Sequence, residues 1–426
     1  MNVICYPSVL RGTAAAIPSK SDAHRKLICA AMSDTPCVLP LHAPFCDDIA
    51  ATVRCLSALG AAFSQEADGL HVTPVIRQER AALDCGESGS TLRFLLPAAM
   101  AVCGRITVTG QGRLPERPIS ELIAAMSVHG VRFDGEKLPL TASGALTGGV
   151  YEIAGNISSQ FLSGLLMALP RCETDSEIRL TTPLQSAAYV DMTLQTLREF
   201  GAQIDVSADE NGLLRYRIKG GGKLHPPEEL TVDGDWSNAA FWLAAGAISP
   251  DSDISLTGLS ADSVQGDKAV CDILRRSGAE IADAGQTLRV SCGTMSAFDA
   301  EMDAIPDLLP VLAVYAACCS GETHFTKAER LRLKESDRLS ATAALLHSLG
   351  GRADELPDGL TVYGGQLSGG TVTGMHDHRL VMAAAVAALR CKNPVKILGA
   401  EAVNKSYPAF FDDYRALGGA CTFTED

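Results

Sequence analysis

The stretch LREFGAQI at Leu197–Ile204 ends an apolar helical pattern with a glycine and continues with strand-like residues. Gly201 suits this position because a helix often ends with a left-handed residue, which glycine adopts at low cost. The phrase recurs as LSALGAAF, MSVHGVRF, LRRSGAEI, LHSLGGRA and YRALGGAC, around Gly60, Gly130, Gly278, Gly350 and Gly418. The six glycines follow one another at roughly 70 residues, which predicts six similar structural units.

A second series of positions runs parallel to the glycines. Upstream of each glycine, a strand-like segment gives way to small and polar residues and then to an apolar helix. These helix starts lie near Ser21, Gly89, Ser159, Ser237, Asp307 and His378. Each unit therefore predicts an α/β pattern, and six units favour two similar domains of three units each. Helix N-termini attract anions, although Ser and Asp there are also ordinary N-caps.

The composition limits the class of protein. The chain has 426 residues, 36 Lys+Arg, 50 Asp+Glu and a formal charge of −14, and 46% of its residues are apolar. This apolar content predicts folded domains rather than disorder. An acidic chain is poorly suited to coating nucleic acid or an anionic membrane, so we expect neither as a partner.

The sequence also predicts a location and the absence of a metal. Its first residues do not form a secretory signal, which favours a cytoplasmic protein. The apolar runs Pro310–Cys319 and Leu380–Leu389 are too short to span a membrane and predict buried helices. No Cys-x-x-Cys occurs, and His376 and His378 lack a third ligand, so we expect no metal.

Two basic segments carry the clearest chemistry. In PSKSDAHR, Lys20 and Arg25 flank a helix start at Ser21, which suits an oxyanion; a capped helix with solvated bases is the alternative. In RLRLKESDR, the alternation up to Lys334 predicts a strand, followed by a helix from Ser336. Glu335 would then lie among cations as a proton-transfer group, unless the segment is an exposed corner with surface ion pairs.

Eight phrases along the chain resemble one enzyme family. They are PSKSDAHR at Pro18, ESGSTLR at Glu87, LPERPI at Leu114, SSQF at Ser158, IPD at Ile305, RLKESDR at Arg332, DHR at Asp377 and NKSYPAFF at Asn404. In this order they resemble the 5-enolpyruvylshikimate-3-phosphate synthase (3-phosphoshikimate 1-carboxyvinyltransferase) family. The resemblance implies two domains, each of three βαβαββ units, with the ligand site in the cleft between them. Residues 1–18 and 234–426 would form one domain, and residues 19–233 the other.

The resemblance also implies the reaction and its residues. A monomeric enzyme would transfer the enolpyruvyl group of phosphoenolpyruvate to the 5-hydroxyl of shikimate 3-phosphate, without a cofactor. Asp307 would accept the hydroxyl proton, Glu335 would protonate the methylene carbon, and Lys20 would assist catalysis. Shikimate 3-phosphate would be bound by Lys20, Ser21, Arg25, Ser158, Ser159, Gln160, Ser186, Asp307 and Lys334. Phosphoenolpyruvate would be bound by Lys20, Gly89, Arg117, Gln160, Lys334, Arg338, Arg379 and Lys405.

Some positions depart from the commonest family pattern, and two other functions are alternatives. Glu87, Ala187 and Arg330 stand where Asn, Lys and Asn are frequent. The sibling transferase for UDP-N-acetylglucosamine carries a reactive Cys, whereas the loop Gly110–Ile119 here has none. A non-catalytic repeat scaffold would leave the convergent acids and bases unexplained. Many family members are blocked by glyphosate, so we expect this chain to be a glyphosate target.

Overall fold

The computed structural model describes residues 1–285 and 287–424. Its helices are Lys20–Ala31 (α1), Asp47–Ala58 (α2), Gly89–Val102 (α3), Ser120–Ser127 (α4), Ser159–Ala168 (α5), Ala187–Glu199 (α6), Trp236–Ile248 (α7), Val270–Arg276 (α8), Leu309–Ala316 (α9), Arg338–Ser348 (α10), His378–Ala388 (α11) and Phe410–Ala416 (α12). Short 3₁₀ helices lie at Leu114–Glu116, Leu169–Arg171, Gly266–Ala269, Pro306–Leu308, Glu329–Leu333 and Ala400–Lys405.

The strands are short and regularly spaced. They are Asn2–Cys5 (β1), Arg11–Ala15 (β2), Cys37–Leu39 (β3), Ala62–Glu66 (β4), Gly69–Thr73 (β5), Ala81–Asp84 (β6), Arg105–Thr109 (β7), Val131–Phe133 (β8), Leu140–Gly144 (β9), Val150–Ile153 (β10), Ser176–Leu180 (β11), Ile204–Ala208 (β12), Leu214–Ile218 (β13), Asp253–Thr257 (β14), Glu280–Asp283 (β15), Thr287–Ser291 (β16), Ala300–Glu301 (β17), Glu322–Thr326 (β18), Arg352–Leu356 (β19), Gly359–Tyr363 (β20), Gly370–Thr373 (β21), Val395–Leu398 (β22) and Cys421–Thr424 (β23).

The chain divides into two compact units. Unit 1 comprises Met1–Ser19 and Asp233–Asp426, and unit 2 comprises Lys20–Val232. The boundaries expected from the sequence lie one residue away from each of these crossings. Each unit has its own buried apolar core.

The same small sheet recurs in both units. In unit 2, β6-β7-β9-β8 and β10-β11-β13-β12 have an edge strand parallel to its neighbour, followed by two antiparallel strands. The sheet β17-β18-β20-β19 of unit 1 has the same order. Each of these three sheets is built from one βαβαββ unit, so the predicted fold class, an α/β protein of repeated βαβαββ units, is confirmed.

The N-terminal strands complete two sheets of unit 1. Strand β1 lies between β22 and β23 and is antiparallel to both. Strand β2 pairs parallel to β14 and supplies the edge strand of that sheet. By contrast, the first sheet of unit 2, β3-β5-β4, has three strands. The two ends of the chain therefore belong to one unit because they share hydrogen-bonded sheets.

The helices of each repeat have different surroundings. The first helix of each repeat is the more enclosed: α7, α9 and α11 are buried along their whole length. The apolar runs predicted to be buried helices fall in α9 and α11, as expected. Within the described part of the chain, no helix is long and apolar enough to cross a membrane.

The six repeat glycines follow the second helix of each repeat. All six have positive φ, from 78° at Gly201 to 101° at Gly60. After α2, the N–H of Gly60 donates to Ser57 O (3.0 Å) and that of Ala61 to Leu56 O (3.1 Å). These bonds satisfy carbonyls that the helix itself leaves unpaired. The six repeat glycines are therefore explained by the positive φ that the backbone adopts where each helix ends.

Three glycines of unit 2 differ in whether an added Cβ would cause backbone strain, steric overlap, both or neither. A Cβ at Gly60 would lie 2.6 Å from Ile76 O, whereas none of the described atoms lies within 4 Å of a Cβ at Gly201 or Gly135. We expect Gly201→Ala, which is strained only by its φ, to lower the free energy of unfolding by about 1 kcal/mol. Gly60→Ala should cost about 3 kcal/mol because strain and overlap add. Gly135→Ala should change stability by less than about 0.5 kcal/mol. Urea denaturation measures all three, and equal losses for Gly60→Ala and Gly135→Ala would contradict the account.

Candidate active site

Lys20 is the first residue of α1 and is held by an acid of the neighbouring helix. Its Nζ lies 2.7 Å from Oδ2 of Asp48, in the first turn of α2. Both side chains are largely buried, with 15% and 6% exposed. A carboxylate near a helix N-terminus is stabilised by the helix dipole. The pair therefore fixes the Lys20 ammonium group at the start of α1, and sequence reasoning did not single out Asp48.

Arg25 is buried inside unit 2 rather than displayed on its surface. Its Nε donates to Thr193 Oγ1 (2.7 Å), its Nη1 to Ser21 O (2.6 Å) and its Nη2 to Tyr189 O (2.6 Å). Burial lowers the pKa of the guanidinium to about 10, so it remains a cation at neutral pH. Each terminal nitrogen has a second N–H beyond these bonds. Arg25 is thus a preorganised positive charge.

A buried hydrogen-bond chain connects α1, α2 and α3. Nδ1 of His24 is 2.8 Å from Thr52 Oγ1, which is 2.7 Å from Thr91 Oγ1. Thr91 donates to Ser88 Oγ (2.8 Å), and Ser88 caps α3 by accepting from Thr91 N (3.2 Å). Burial lowers the pKa of His24 to about 3, so its ring is neutral. The chain holds the Ser88–Gly89 turn relative to the helix that carries Lys20.

Gly89 is the first residue of α3 and lies against Arg117. A Cβ on Gly89 would lie 2.5 Å from Nη1 of Arg117, so the missing side chain makes room for the guanidinium. The carboxylate of Glu87 occupies the space beside Gly112, so this acid lies against the turn after β7. Glycine at position 89 therefore permits a close approach of a cation to a helix N-terminus.

The starts of α3 and α5 are joined through Gln160. Its Oε1 accepts from Arg93 Nη1 (2.7 Å), and its Nε2 donates to Ser90 Oγ (2.9 Å). Ser158 caps α5 by accepting from Gln160 N (3.3 Å). Arg93 helps to hold the Gln160 side chain in place. The motif did not reveal this role, because Gln160 lies 67 residues further along the chain.

Ser186 lies immediately before α6 in a strained conformation. Its φ of 55° is in the left-handed region, which is uncommon for a residue with a side chain. Such strain persists where the surrounding structure requires it, often at ligand sites. Ser186 is 4% exposed, and Ala187 begins the helix that follows.

In unit 1, Arg338 is the centre of a buried ionic cluster. Its Nη1 lies 2.8 Å from Asp307 Oδ1 and its Nη2 lies 2.8 Å from Glu335 Oε2. Its Nε and Nη2 also donate to the two oxygens of Asp377, at 2.9 and 3.3 Å. Only 1% of the Arg338 side chain is exposed. Although burial opposes it, the three carboxylates raise the pKa of this guanidinium.

Asp307 is surrounded by three cations. Besides Arg338, it contacts Lys334 Nζ (3.4 Å) and Arg379 Nη2 (3.0 Å). Burial acts to raise the pKa of Asp307, but Arg379, Lys334 and Arg338 hold it well below its ordinary value. Burial lowers the pKa of Lys334 despite the attraction of Asp307. Asp307 is therefore an ionised carboxylate at neutral pH.

The local backbone around Lys334 differs from the prediction. Glu329–Leu333 forms a 3₁₀ helix rather than a strand, and α10 begins at Arg338 with Asp337 as its cap, not at Ser336. Leu331 is buried but Leu333 is 52% exposed, so the alternating residues do not line one face of a sheet. The prediction of a strand here was wrong because Arg332 turns toward Asp337 and Glu355 instead.

The remaining predicted residues of unit 1 lie near helix starts. Arg379 is the second residue of α11, whose cap is Asp377. Lys405, 6% exposed, ends a 3₁₀ helix. The next residue, Ser406, is 3.4 Å from Asn238 of α7. Lys405 thus lies close to the N-terminus of α7.

A metal ion is bound by several acids, histidines or cysteines that lie close together. In the described ranges, one group of three such residues is close enough to share an ion: Glu66, Asp68 and His71, around the exposed β4–β5 turn. None of the three is among the residues predicted to bind substrate. That the reaction needs no metal remains a prediction.

Solved structures show which fold the chain shares, and sequence relatives show its family. The fold resembles EPSP synthase from Acinetobacter baumannii (TM-score 0.79, 24% identity, covering 99% of this chain and 100% of the other). It also resembles the enolpyruvyl transferase NikO from Streptomyces tendae (TM-score 0.80, 18% identity, covering 99% and 98%). At these identities the likenesses show that the chain shares the fold of these two proteins.

The sequence comparisons are more specific. A sequence model of EPSP synthase (3-phosphoshikimate 1-carboxyvinyltransferase) matches residues 5–414. The chain is 39% identical to the 3-phosphoshikimate 1-carboxyvinyltransferase of Clostridium perfringens over 424 residues, 98% of each chain. It is 40% identical to that of Clostridium acetobutylicum over 422 residues, 97% of this chain and 96% of the relative. The chain belongs to the EPSP synthase family, so the resemblance seen in its motifs is confirmed.

The ionic cluster predicts that Arg338 cannot be replaced by lysine. One ammonium group cannot reach three carboxylates, so Arg338→Lys leaves buried charges without a partner. We expect it to lower the free energy of unfolding by about 3 kcal/mol. Arg332→Lys, in a more exposed network, should cost less than about 1 kcal/mol. Urea denaturation of both variants is the measurement, and similar stability of the two would contradict the central place given to Arg338.

Proposed function

We propose that the chain transfers the enolpyruvyl group of phosphoenolpyruvate to the 5-hydroxyl of shikimate 3-phosphate and releases phosphate. Family membership confirms this predicted activity in the shikimate pathway. The observation that carries the proposal is Asp307, an ionised acid among Lys334, Arg338 and Arg379. The UDP-N-acetylglucosamine enzyme and the non-catalytic scaffold are not favoured.

The residues of unit 2 are proposed to hold shikimate 3-phosphate. The supporting observations are a cation fixed at the start of α1 by Asp48, a buried guanidinium at Arg25 and a strained serine at Ser186. Helix N-termini add unpaired N–H groups that favour an anion. The proposed binding residues in this unit are Lys20, Ser21, Arg25, Ser158, Ser159, Gln160 and Ser186. In unit 1, Asp307 and Lys334 are the residues proposed for the same substrate.

Phosphoenolpyruvate carries a phosphate and a carboxylate, so it needs several cations. We assign it the guanidinium groups of Arg338 and Arg379, which are already held by carboxylates in fixed orientations. Planar guanidinium groups match the geometry of both anions. The other proposed binding residues are Lys20, Gly89, Arg117, Gln160, Lys334 and Lys405.

The reaction requires one base and one acid, whose roles reverse in its second step. In the addition, the 5-hydroxyl oxygen bonds to C2 of phosphoenolpyruvate, Asp307 accepts the hydroxyl proton, and Glu335, after taking up a proton when substrate binds, gives it to C3. In the elimination, Glu335 takes a proton back from C3, the double bond re-forms as the C2–O bond to phosphate breaks, and Asp307 returns its proton to the leaving phosphate. The neighbouring cations, with Lys20, stabilise the charge on the leaving phosphate.

The enzyme's other properties are also proposals. The enzyme is proposed to be a monomer that acts in the cytoplasm. The charge of −14 supports the absence of nucleic acid or a membrane as a partner. No metal or organic cofactor is assigned, because the addition and elimination need only proton transfer and charge stabilisation.

The activity is tested by phosphate release from phosphoenolpyruvate, with either shikimate 3-phosphate or UDP-N-acetylglucosamine as acceptor. We expect release with shikimate 3-phosphate alone. Asp307→Asn and Glu335→Gln should each lower kcat by about 100-fold or more, since each removes a proton-transfer group. The exposed Glu329→Gln is the control and should retain activity. Release with the UDP-sugar, or normal turnover by Asp307→Asn, would contradict the proposal.

Gly89 predicts a difference between substrate and inhibitor. Glyphosate is slightly longer than phosphoenolpyruvate, and a Cβ at position 89 would displace the guanidinium of Arg117. We expect wild type to be inhibited competitively with phosphoenolpyruvate. Gly89→Ala should weaken glyphosate about tenfold more than it raises KM for phosphoenolpyruvate, a difference of about 1.4 kcal/mol.

The control for this comparison is Gly104→Ala, just beyond the other end of α3. A Cβ at Gly104 would lie 3.5 Å from Glu79 O, an ordinary contact distance. Neither the inhibition constant of glyphosate nor the KM for phosphoenolpyruvate should therefore change. Inhibition constants and KM are measured at fixed shikimate 3-phosphate. Equal losses of inhibitor and substrate affinity in Gly89→Ala would refute the steric argument.

A further inference from the structure

Asp267 is a buried carboxyl group of unit 1 that has no part in the roles described above. It lies in the 3₁₀ helix Gly266–Ala269, which packs against α7. Only 2% of Asp267 is exposed. Its Oδ2 is hydrogen-bonded to Ser237 Oγ, at the start of α7. Its Oδ1 is fully buried and has no hydrogen-bond partner in the described part of the chain.

The surroundings of Asp267 are poor for an anion. Within residues 1–285 and 287–424, no cation forms an ion pair with it, unlike Asp307 or Asp377 nearby. The guanidinium of Arg379 is directed elsewhere: Nη2 lies 3.0 Å from Asp307, and Nη1 donates to Ser237 O at 3.5 Å. Burying an ionised carboxylate without pairing it is costly, and protonation removes most of that cost.

We propose that Asp267 is a positioning residue that stays protonated in the substrate-free enzyme and thereby leaves Arg379 to Asp307. In the structure Ser237 Oγ donates to Asp267 Oδ2. In the protonated acid the direction of this bond would reverse: the proton would lie on Oδ2 and be donated to Ser237 Oγ, so that Oδ1 is only an unpaired acceptor. The buried O–H of Asp267 then has an acceptor. The atom left without a partner is Oδ1, and a neutral acceptor costs less free energy to bury than a charged one. An ionised Asp267 would instead compete with Asp307 for Arg379.

The electrostatic environment agrees with the geometry. Burial, the largest effect, and the charges of Asp307 and Asp235 together raise the pKa of Asp267 to about 7, although Arg379 and the hydrogen bond from Ser237 act to lower it. Asp235 caps α7, Asp307 precedes α9 and Arg379 belongs to α11. Lys268, on the same 3₁₀ helix as Asp267, donates to Ala261 O. Asp307 is held ionised while Asp267 is held neutral, so the two carboxyl groups have opposite protonation preferences.

Ionisation of Asp267 should affect the use of phosphoenolpyruvate, an expectation that rests on the proposed function. When Asp267 ionises above neutral pH, it adds negative charge beside Arg379, which is assigned to phosphoenolpyruvate. The kcat/KM for this anionic substrate should then fall. Asp267→Asn, which mimics the neutral acid, should remove that part of the pH dependence.

The test compares kcat/KM for phosphoenolpyruvate in wild type and Asp267→Asn, at saturating shikimate 3-phosphate. At about pH 7 the variant should lie within threefold of wild type, and the ratio of variant to wild type should rise about fivefold or more by pH 9. The ratio cancels titrations that both proteins share, such as that of Lys334. Asp262→Asn, an exposed acid before the same 3₁₀ helix, should give a constant ratio.

Two results would overturn the proposal: a constant ratio for Asp267→Asn, or a loss of more than about 100-fold at every pH in a variant that circular dichroism shows to be folded. Infrared difference spectra of wild type minus Asp267→Asn test the protonation directly. A protonated-carboxyl band should be present near pH 6 and lost by about pH 9, and its absence would also overturn the proposal. If wild type shows no turnover, the proposed function fails while the infrared result still decides the state of Asp267.

Discussion

The contact of one buried guanidinium with three carboxylates organises unit 1. Arg338 begins α10, yet its side chain joins Asp307, before α9, to Asp377, the cap of α11. Helices from two repeats are therefore tied together at the end where their N–H groups are unpaired. A buried ionic cluster of this kind is weak evidence for stability, because desolvation opposes the attraction. What it provides is a fixed arrangement of charge, which a reaction between anions needs.

Unit 2 uses the same fold with different chemistry. Neutral groups are prominent between its helices: His24, Thr52 and Thr91 connect α1, α2 and α3, beside the Lys20–Asp48 ion pair. Gln160 then connects α3 to α5 through Ser90 and Arg93. Hydroxyl and amide groups suit a polar, hydroxyl-bearing ligand, whereas the cations of unit 1 suit phosphate and carboxylate. The repeats thus share their backbone topology, while the residues at their helix starts differ between units.

The sequence predicted the repeat and the helix starts well because these features depend on local rules. A glycine at positive φ and a polar residue before an apolar run act within a few positions of the chain. The predicted strand up to Lys334 failed because alternation alone cannot show that Arg332 finds Asp337 and Glu355. Asp48, Arg93 and Asp267 were missed for a related reason: their importance lies in partners tens of residues away.

The central claim is that the cations around Asp307 outweigh its burial and keep it ionised as a base. Carbon-13 NMR of aspartate-labelled protein, with Asp307→Asn to assign the signal, measures this directly. The account predicts that the carboxyl signal of Asp307 does not titrate between about pH 7 and pH 4.5, because its pKa lies below the ordinary value of about 3.9. A titration midpoint above about pH 5 would show that burial prevails over the three cations, and would contradict the account.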